Sequence, residues 1–189
     1  MNTHKRHPQI ADIRDSVLVI IDVQEKLYPH IVNNEKLILN VKKLVKTAKL
    51  FKIPIILTEQ EKLGQAVKTL RNILNDSYIP IKKVAFSCFE EEEFRKKLKD
   101  LKRTTCILTG IESHICIEQT ALDLLENDYS VHVVEDAISS RKKSDLETAI
   151  NKMRSSGVIV TSTEIVMYEL MKRADDNRFK EFLEIVKSS

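Results

Sequence analysis

The chain has 189 residues, 42% of them hydrophobic and 31% charged, with a net charge of +3. That length sustains one domain with its own core, and that balance excludes a disordered or membrane-embedded chain. The small, dispersed charge provides no basic stripe of the kind nucleic acid requires, so neither nucleic acid nor a membrane is an expected partner.

In chain order, short β-branched apolar runs alternate with longer stretches of helical period. Ser16 to Asp22, Ile53 to Glu59, Thr104 to Gly110 and Ser130 to Asp136 are continuous rather than alternating, as strands buried on both faces are. Ile79 to Phe86 is a weaker run, and the segment after Gly157 a shorter one. Glu35 to Phe51 spaces Leu37, Val41, Leu44, Val45 and Ala48 as one apolar helical stripe. Ile115 to Asn127, Ser144 to Ser156, Thr163 to Ala174 and Asn177 to Val186 are further helices, with Gly157 a C-terminal cap. This alternation predicts an α/β fold: a three-layer, doubly wound, Rossmann-like sandwich around a parallel sheet, spanning residues 1–189 as a single domain.

In such a sheet ligands bind beyond the carboxyl ends of the strands. Asp22 and Gln24 follow the first strand, Thr58, Glu59 and Gln60 the second, Lys82 and Lys83 the third run, and Glu112, His114 and Cys116 the fourth strand. Taken singly, each has a bland reading: Asp22 a strand-end cap, Lys83 a solvated lysine, Cys116 a packed thiol. Cys106 is a small apolar core residue, and Cys88 is either packing or pocket lining, with packing the default. The odd number of cysteines and the lack of a C-x-x-C spacing fit neither a disulfide framework nor a zinc site. A reducing, cytoplasmic setting follows, in keeping with an N-terminal stretch that has charge but no apolar h-region.

Cys116 opens a helix six residues after a strand, near free N–H groups and the positive end of a macrodipole. Such thiols can fall from about 8.5 into a pKa range of roughly 3.5–7.5. With Asp22 and a lysine at the same end of the sheet, a base, a cation and a nucleophile are gathered. His114 stands two residues from Cys116, a spacing that turns the side chains apart on a helix. It is expected in the pocket wall, or as a support just behind it, rather than in a Cys–His dyad.

The runs VIIDVQ, LTEQ followed by LG, KKVAFS, and TGIESHICIEQTALDLL with VHVVEDAISSR behind it occur in this order. In this the chain resembles the isochorismatase-like cysteine hydrolases over about residues 14–187. The resemblance implies a six-stranded parallel sheet and a catalytic Asp22, Lys83 and Cys116, with Lys82 the alternative lysine. It implies nucleophilic acyl transfer on a small amide or related C–N bond through a thioester. The oxyanion would rest on the backbone N–H groups of Glu112 and Cys116, after a cis Ile111–Glu112 peptide. Gln24, Glu59, Gln60, Phe86, Phe89 and His114 are expected around the substrate pocket.

The metal-binding histidines of nicotinamidases have no counterpart in TEQEKLGQ, so neither metal nor cofactor is expected. The cysteine sets the chain apart from enzymes that cleave the vinyl ether of isochorismate. Three glycines leave no dinucleotide-binding G-x-G-x-x-G. The remaining alternative is a non-catalytic oligomeric scaffold on the same fold. A homo-oligomer is implied in either case, with the last helix as its contact.

Overall fold

The computed structural model describes residues 6–188. Its sheet contains six parallel strands: β1 (Ser16–Ile21), β2 (Ile55–Gln60), β3 (Ile81–Lys83), β4 (Thr105–Ile111), β5 (Ser130–Ser139) and β6 (Ile159–Thr161). Their spatial order is β3-β2-β1-β4-β5-β6. The order reverses between β1 and β4, so the crevice for a ligand opens beyond the ends of these two central strands.

Among the described residues seven α-helices connect and cover the strands: α1 (Asn34–Phe51), α2 (Lys68–Leu74), α3 (Glu92–Leu101), α4 (Glu118–Glu126), α5 (Lys143–Ser155), α6 (Thr163–Met171) and α7 (Phe179–Lys187). Strand alternation divides the core in two. Leu18, Ile20, Leu57, Ile107 and Val134 face α1, α2, α6 and α7, whereas Val17, Val19, Ile56, Leu108 and Val133 face α3, α4 and α5. Each side is a continuous layer of buried aliphatic groups, the main favourable term in holding helices to a sheet.

The expected strands and helices are present to within a few residues. Two helices go beyond the sequence reading. α2 is short, with Leu70 and Leu74 buried, and α3 is so charged that only Phe94 and Leu98 mark its inner face. The helix expected from Ile115 is also different: a π-helical turn over Ser113–Ile117 precedes α4. Gly157, with φ of 99°, ends α5 in a conformation that suits glycine, as expected for a C-terminal cap. Among the described residues no helix is long and apolar enough to cross a membrane.

His132 lies on β5 between Ile107 and Ile159, 1% exposed, with neither ring nitrogen hydrogen-bonded. Burial pushes its pKa down from 6.5 to about 4. The folded chain thus holds this imidazole neutral where the unfolded chain would protonate it. Its contribution is intact above pH 6.5 and is lost as pH falls towards 4, in total about 3 kcal/mol. Urea unfolding at pH 7.5 and 4.5 is expected to show a smaller acid loss for His132→Leu than for wild type. Equal losses would show that His132 is not the group responsible.

Candidate active site

Asp22 is the first residue past β1. Alternation along β1 would send its side chain to the α1 side with Leu18 and Ile20. Its φ of 53° breaks that alternation in the left-handed region, which aspartate tolerates better than most residues. The carboxylate therefore meets groups from the other side of the sheet. Thr58 Oγ1 donates to Asp22 Oδ1 at 2.8 Å, and Lys83 Nζ lies 2.7 Å from Oδ2. Gly110, in β4 beside Ile21, has φ of 122°, and a Cβ there would sit 2.0 Å from the Ile21 carbonyl oxygen. Only glycine lets the two central strands approach so closely next to Asp22.

The parity of β3 sends the two lysines to opposite sides of the sheet. Ile81 and Lys83 share the α3 side, and Lys83 is 1% exposed. Its ammonium donates to Gln60 Oε1 at 2.6 Å and to the carbonyls of Ala85 and Phe86 at 3.1 and 3.2 Å, and it stands 3.5 Å from Cys116 Sγ. Lys82 points to the opposite side and pairs with Glu59.

Cys116 sits on the π-helical turn, 7% exposed. The carbonyl of Glu112 accepts the N–H groups of Ile115 and Ile117, which closes the turn beyond β4. The Ile111–Glu112 peptide is cis. The thiol departs from the expectation for a helix start: burial, and then the Asp22 carboxylate, push it up to about 12, and Lys83 offsets this only in part. A buried site withholds solvation from a thiolate, and here that cost exceeds the benefit of nearby N–H groups and one cation. Burial likewise raises Asp22 above the usual carboxylate range against the opposing Lys83. Burial acts against the Lys83 ammonium too, but the facing carboxylate raises it overall. At rest the thiol holds its proton beside a charged lysine and a carboxylate of increased basicity.

The expected pocket residues divide. Gln60 is in the cluster through Lys83, and Gln24 braces it from behind, accepting the Gln60 N–H at 2.8 Å and donating to the carbonyls of Gln60 and Gly64. Phe86 stands 56% exposed beside the site, its carbonyl on Lys83. Ala85, Phe86, Ser87, Glu118, Asp123 and Lys152 border an adjoining groove of about 650 Å³. His114 turns away from the thiol, with Nδ1 2.9 Å from Ser140 Oγ and Nε2 3.8 Å from Asp145.

Two expectations are corrected. Glu59 is not in the pocket: on the α1 side of β2 it binds the Ala66 N–H, the Tyr78 hydroxyl and Lys82. Phe89 packs edge-on against Tyr129, which precedes β5 at the amino end of the sheet, away from Cys116. Two residues that lie within the quoted motifs but are given no role there join the cluster, Thr58 on Asp22 and Arg141 on Glu112. Thr58 has a signal in the sequence, since it shares strand parity with Gln60. Arg141 has none beyond its place in the motif. A larger cavity of about 700 Å³, bordered by Asp15, Thr104 and Ser130, lies at the amino ends of the strands and contains none of these groups.

A buried thiol, carboxylate and ammonium are gathered at the reversal point of a six-stranded parallel sheet in a three-layer α/β fold. Residues 16–165 match the isochorismatase domain, and the chain belongs to the isochorismatase family. It is 37% identical over 183 residues to isochorismatase family protein 2A of Dictyostelium discoideum, covering 92% of this chain and 90% of that one. Among solved structures, the MAR1 ribonuclease of Caenorhabditis elegans is 36% identical with a TM-score of 0.88, covering 95% of this chain and 93% of that one. Escherichia coli YcaC, described as an octameric hydrolase of unknown specificity, shares the fold at 23% identity and a TM-score of 0.84, covering 97% of each chain.

Proposed function

We propose that this protein is a cysteine hydrolase that cleaves a small amide or related C–N bond through a thioester. The observation that carries the reading is the position of Lys83 Nζ, 2.7 Å from Asp22 and 3.5 Å from Cys116 Sγ. Asp22 takes the thiol proton as Cys116 attacks the carbonyl carbon, forming the S–C bond. The oxygen of the tetrahedral intermediate rests on the N–H groups of Glu112 and Cys116. Asp22 then returns the proton to the nitrogen as the C–N bond breaks and ammonia or an amine leaves. Water, deprotonated by the same carboxylate, releases the acid and the thiol.

Because the thiol is neutral at rest, the proton transfer is coupled to the approach of substrate. A thiolate is never held free in a dry site. Lys83 keeps the carboxylate in register and offsets the charge that passes between Asp22 and Cys116.

The test is ammonia release from a panel of small amides and carbamoyl compounds. Activity on a member of the panel that is absent in Cys116→Ala supports the reading, and activity that survives that substitution overturns it. The ribonuclease description of the C. elegans protein motivates a second reading, phosphodiester cleavage, so the panel includes an RNA oligonucleotide. RNA cleavage that persists in Cys116→Ala would favour that reading, because phosphodiester chemistry at Asp22 and Lys83 does not require a thiol. The octamer described for YcaC supports a homo-oligomer here, to be checked by light scattering.

A further inference from the structure

The turn that carries Cys116 is fastened from outside by two consecutive residues beyond β5. Ser140 Oγ lies 2.9 Å from His114 Nδ1. Arg141 donates its main-chain N–H to Glu112 Oε2 at 2.9 Å and its Nε to both carboxylate oxygens at 3.1 Å. Glu112 is 4% exposed, while the Arg141 side chain is 56% exposed. Meanwhile the Glu112 carbonyl is engaged by Ile115 and Ile117. Glu112 is thus anchored at its carboxylate and at its carbonyl, and these two anchors leave its N–H little freedom to reorient.

We infer that Arg141 is a positioning residue for the oxyanion site: through the Glu112 carboxylate it holds the Glu112 N–H, and the turn bearing the Cys116 N–H, where the carbonyl oxygen of a substrate develops charge. This rests on the hydrolase reading above and adds a residue to it. A carboxylate inside the structure and a guanidinium at its rim suit this task. The main-chain bond sets the register between the β5–α5 corner and the turn, and the charge-assisted bonds from Nε limit rotation of the carboxylate. A donor displaced by about 1 Å costs on the order of 100-fold in rate.

The experiment compares two probes of one thiol in wild type, Arg141→Met and Arg141→Lys. p-Nitrophenyl acetate acylates Cys116: the S–C bond forms, p-nitrophenolate leaves with the C–O electron pair, and the thiol proton passes to Asp22. That step needs the oxyanion donors. Iodoacetamide alkylates the same sulfur by displacing iodide and needs none.

Arg141→Met is expected to slow acylation by about 100-fold while alkylation stays close to wild type, and Arg141→Lys is expected to recover part of the loss. Should Arg141→Met not fold, Glu112→Gln, which keeps a hydrogen-bonding amide but removes the charge, is measured in the same way. Unchanged acylation, or a parallel fall in both reactions, overturns the assignment. Acylation that is absent from wild type, or that persists in Cys116→Ala, overturns the hydrolase reading itself and the assignment with it.

Discussion

Asp22→Asn is expected to cut turnover sharply and yet make Cys116 more reactive towards iodoacetamide. The carboxylate is among the groups that push the thiol up to about 12, whereas Lys83 pulls it down. An amide at this position removes the opposing negative charge and leaves the ammonium 3.5 Å from the sulfur, so the thiol pKa falls and the thiolate fraction at neutral pH rises. Turnover falls for a different reason: no group remains to carry the proton to the departing nitrogen or to activate water. The loss is expected to be about 10²–10⁴-fold in kcat.

Cys116→Ala leaves the Asp22–Lys83 pair intact and removes the nucleophile, an expected loss of the order of 10⁶-fold. Alkylation rates against pH, measured beside ammonia release, separate the two roles. If Asp22→Asn slowed alkylation as much as it slowed turnover, Asp22 would act on the thiol alone and the proton-return step would be wrong.

The second large effect is on stability. Lys83→Met leaves the carboxylate of Asp22, itself 1% exposed, without its cation. Breaking a buried pair in this way costs about 3–5 kcal/mol when the remaining charge is retained. Asp22 can escape part of that cost by taking up a proton, because burial already raises its pKa. A carboxyl whose folded pKa lies above its unfolded value of about 3.9 holds its proton longer in the folded chain. The deficit of Lys83→Met is therefore expected to be small at pH 5 and to grow as pH rises to 8.

The double variant Asp22→Asn/Lys83→Met carries no charge at either position. It is expected to recover most of the stability, to lose the added pH dependence and to remain inactive. Denaturant titrations at both pH values give the answer. A pH-independent deficit in the single variant would mean that Asp22 stays ionised without Lys83.

Much of this architecture can be read from residue order. Continuous apolar runs such as Val17 to Ile21, separated by stripes like that of Leu37 to Ala48, are local patterns with one stable packing, a parallel sheet covered on both faces. The same order places Asp22, Lys83 and Cys116 just beyond strand ends, because position along a strand depends on counting residues. α2 and α3 were not evident, since seven residues in one case and two buried side chains in the other make a weak periodic signal.

Direction and environment required the folded molecule. Glu59 and Gln60 are neighbours in sequence, yet they face opposite sides of β2, and only Gln60 reaches Lys83. Phe89 is three residues from Phe86, but it packs against Tyr129 towards the other end of the sheet. Asp22 reaches Thr58 and Lys83 because a left-handed backbone angle overrides strand alternation. The thiol of Cys116, expected to ionise readily at a helix start, is instead held neutral by burial beside a carboxylate. By itself the sequence determined which groups come to the mouth of the sheet, since that follows from local periodicity and strand order. Tertiary structure decided which way each group points and how strongly it holds its proton, since both depend on neighbours brought together from distant parts of the chain and on the water they exclude.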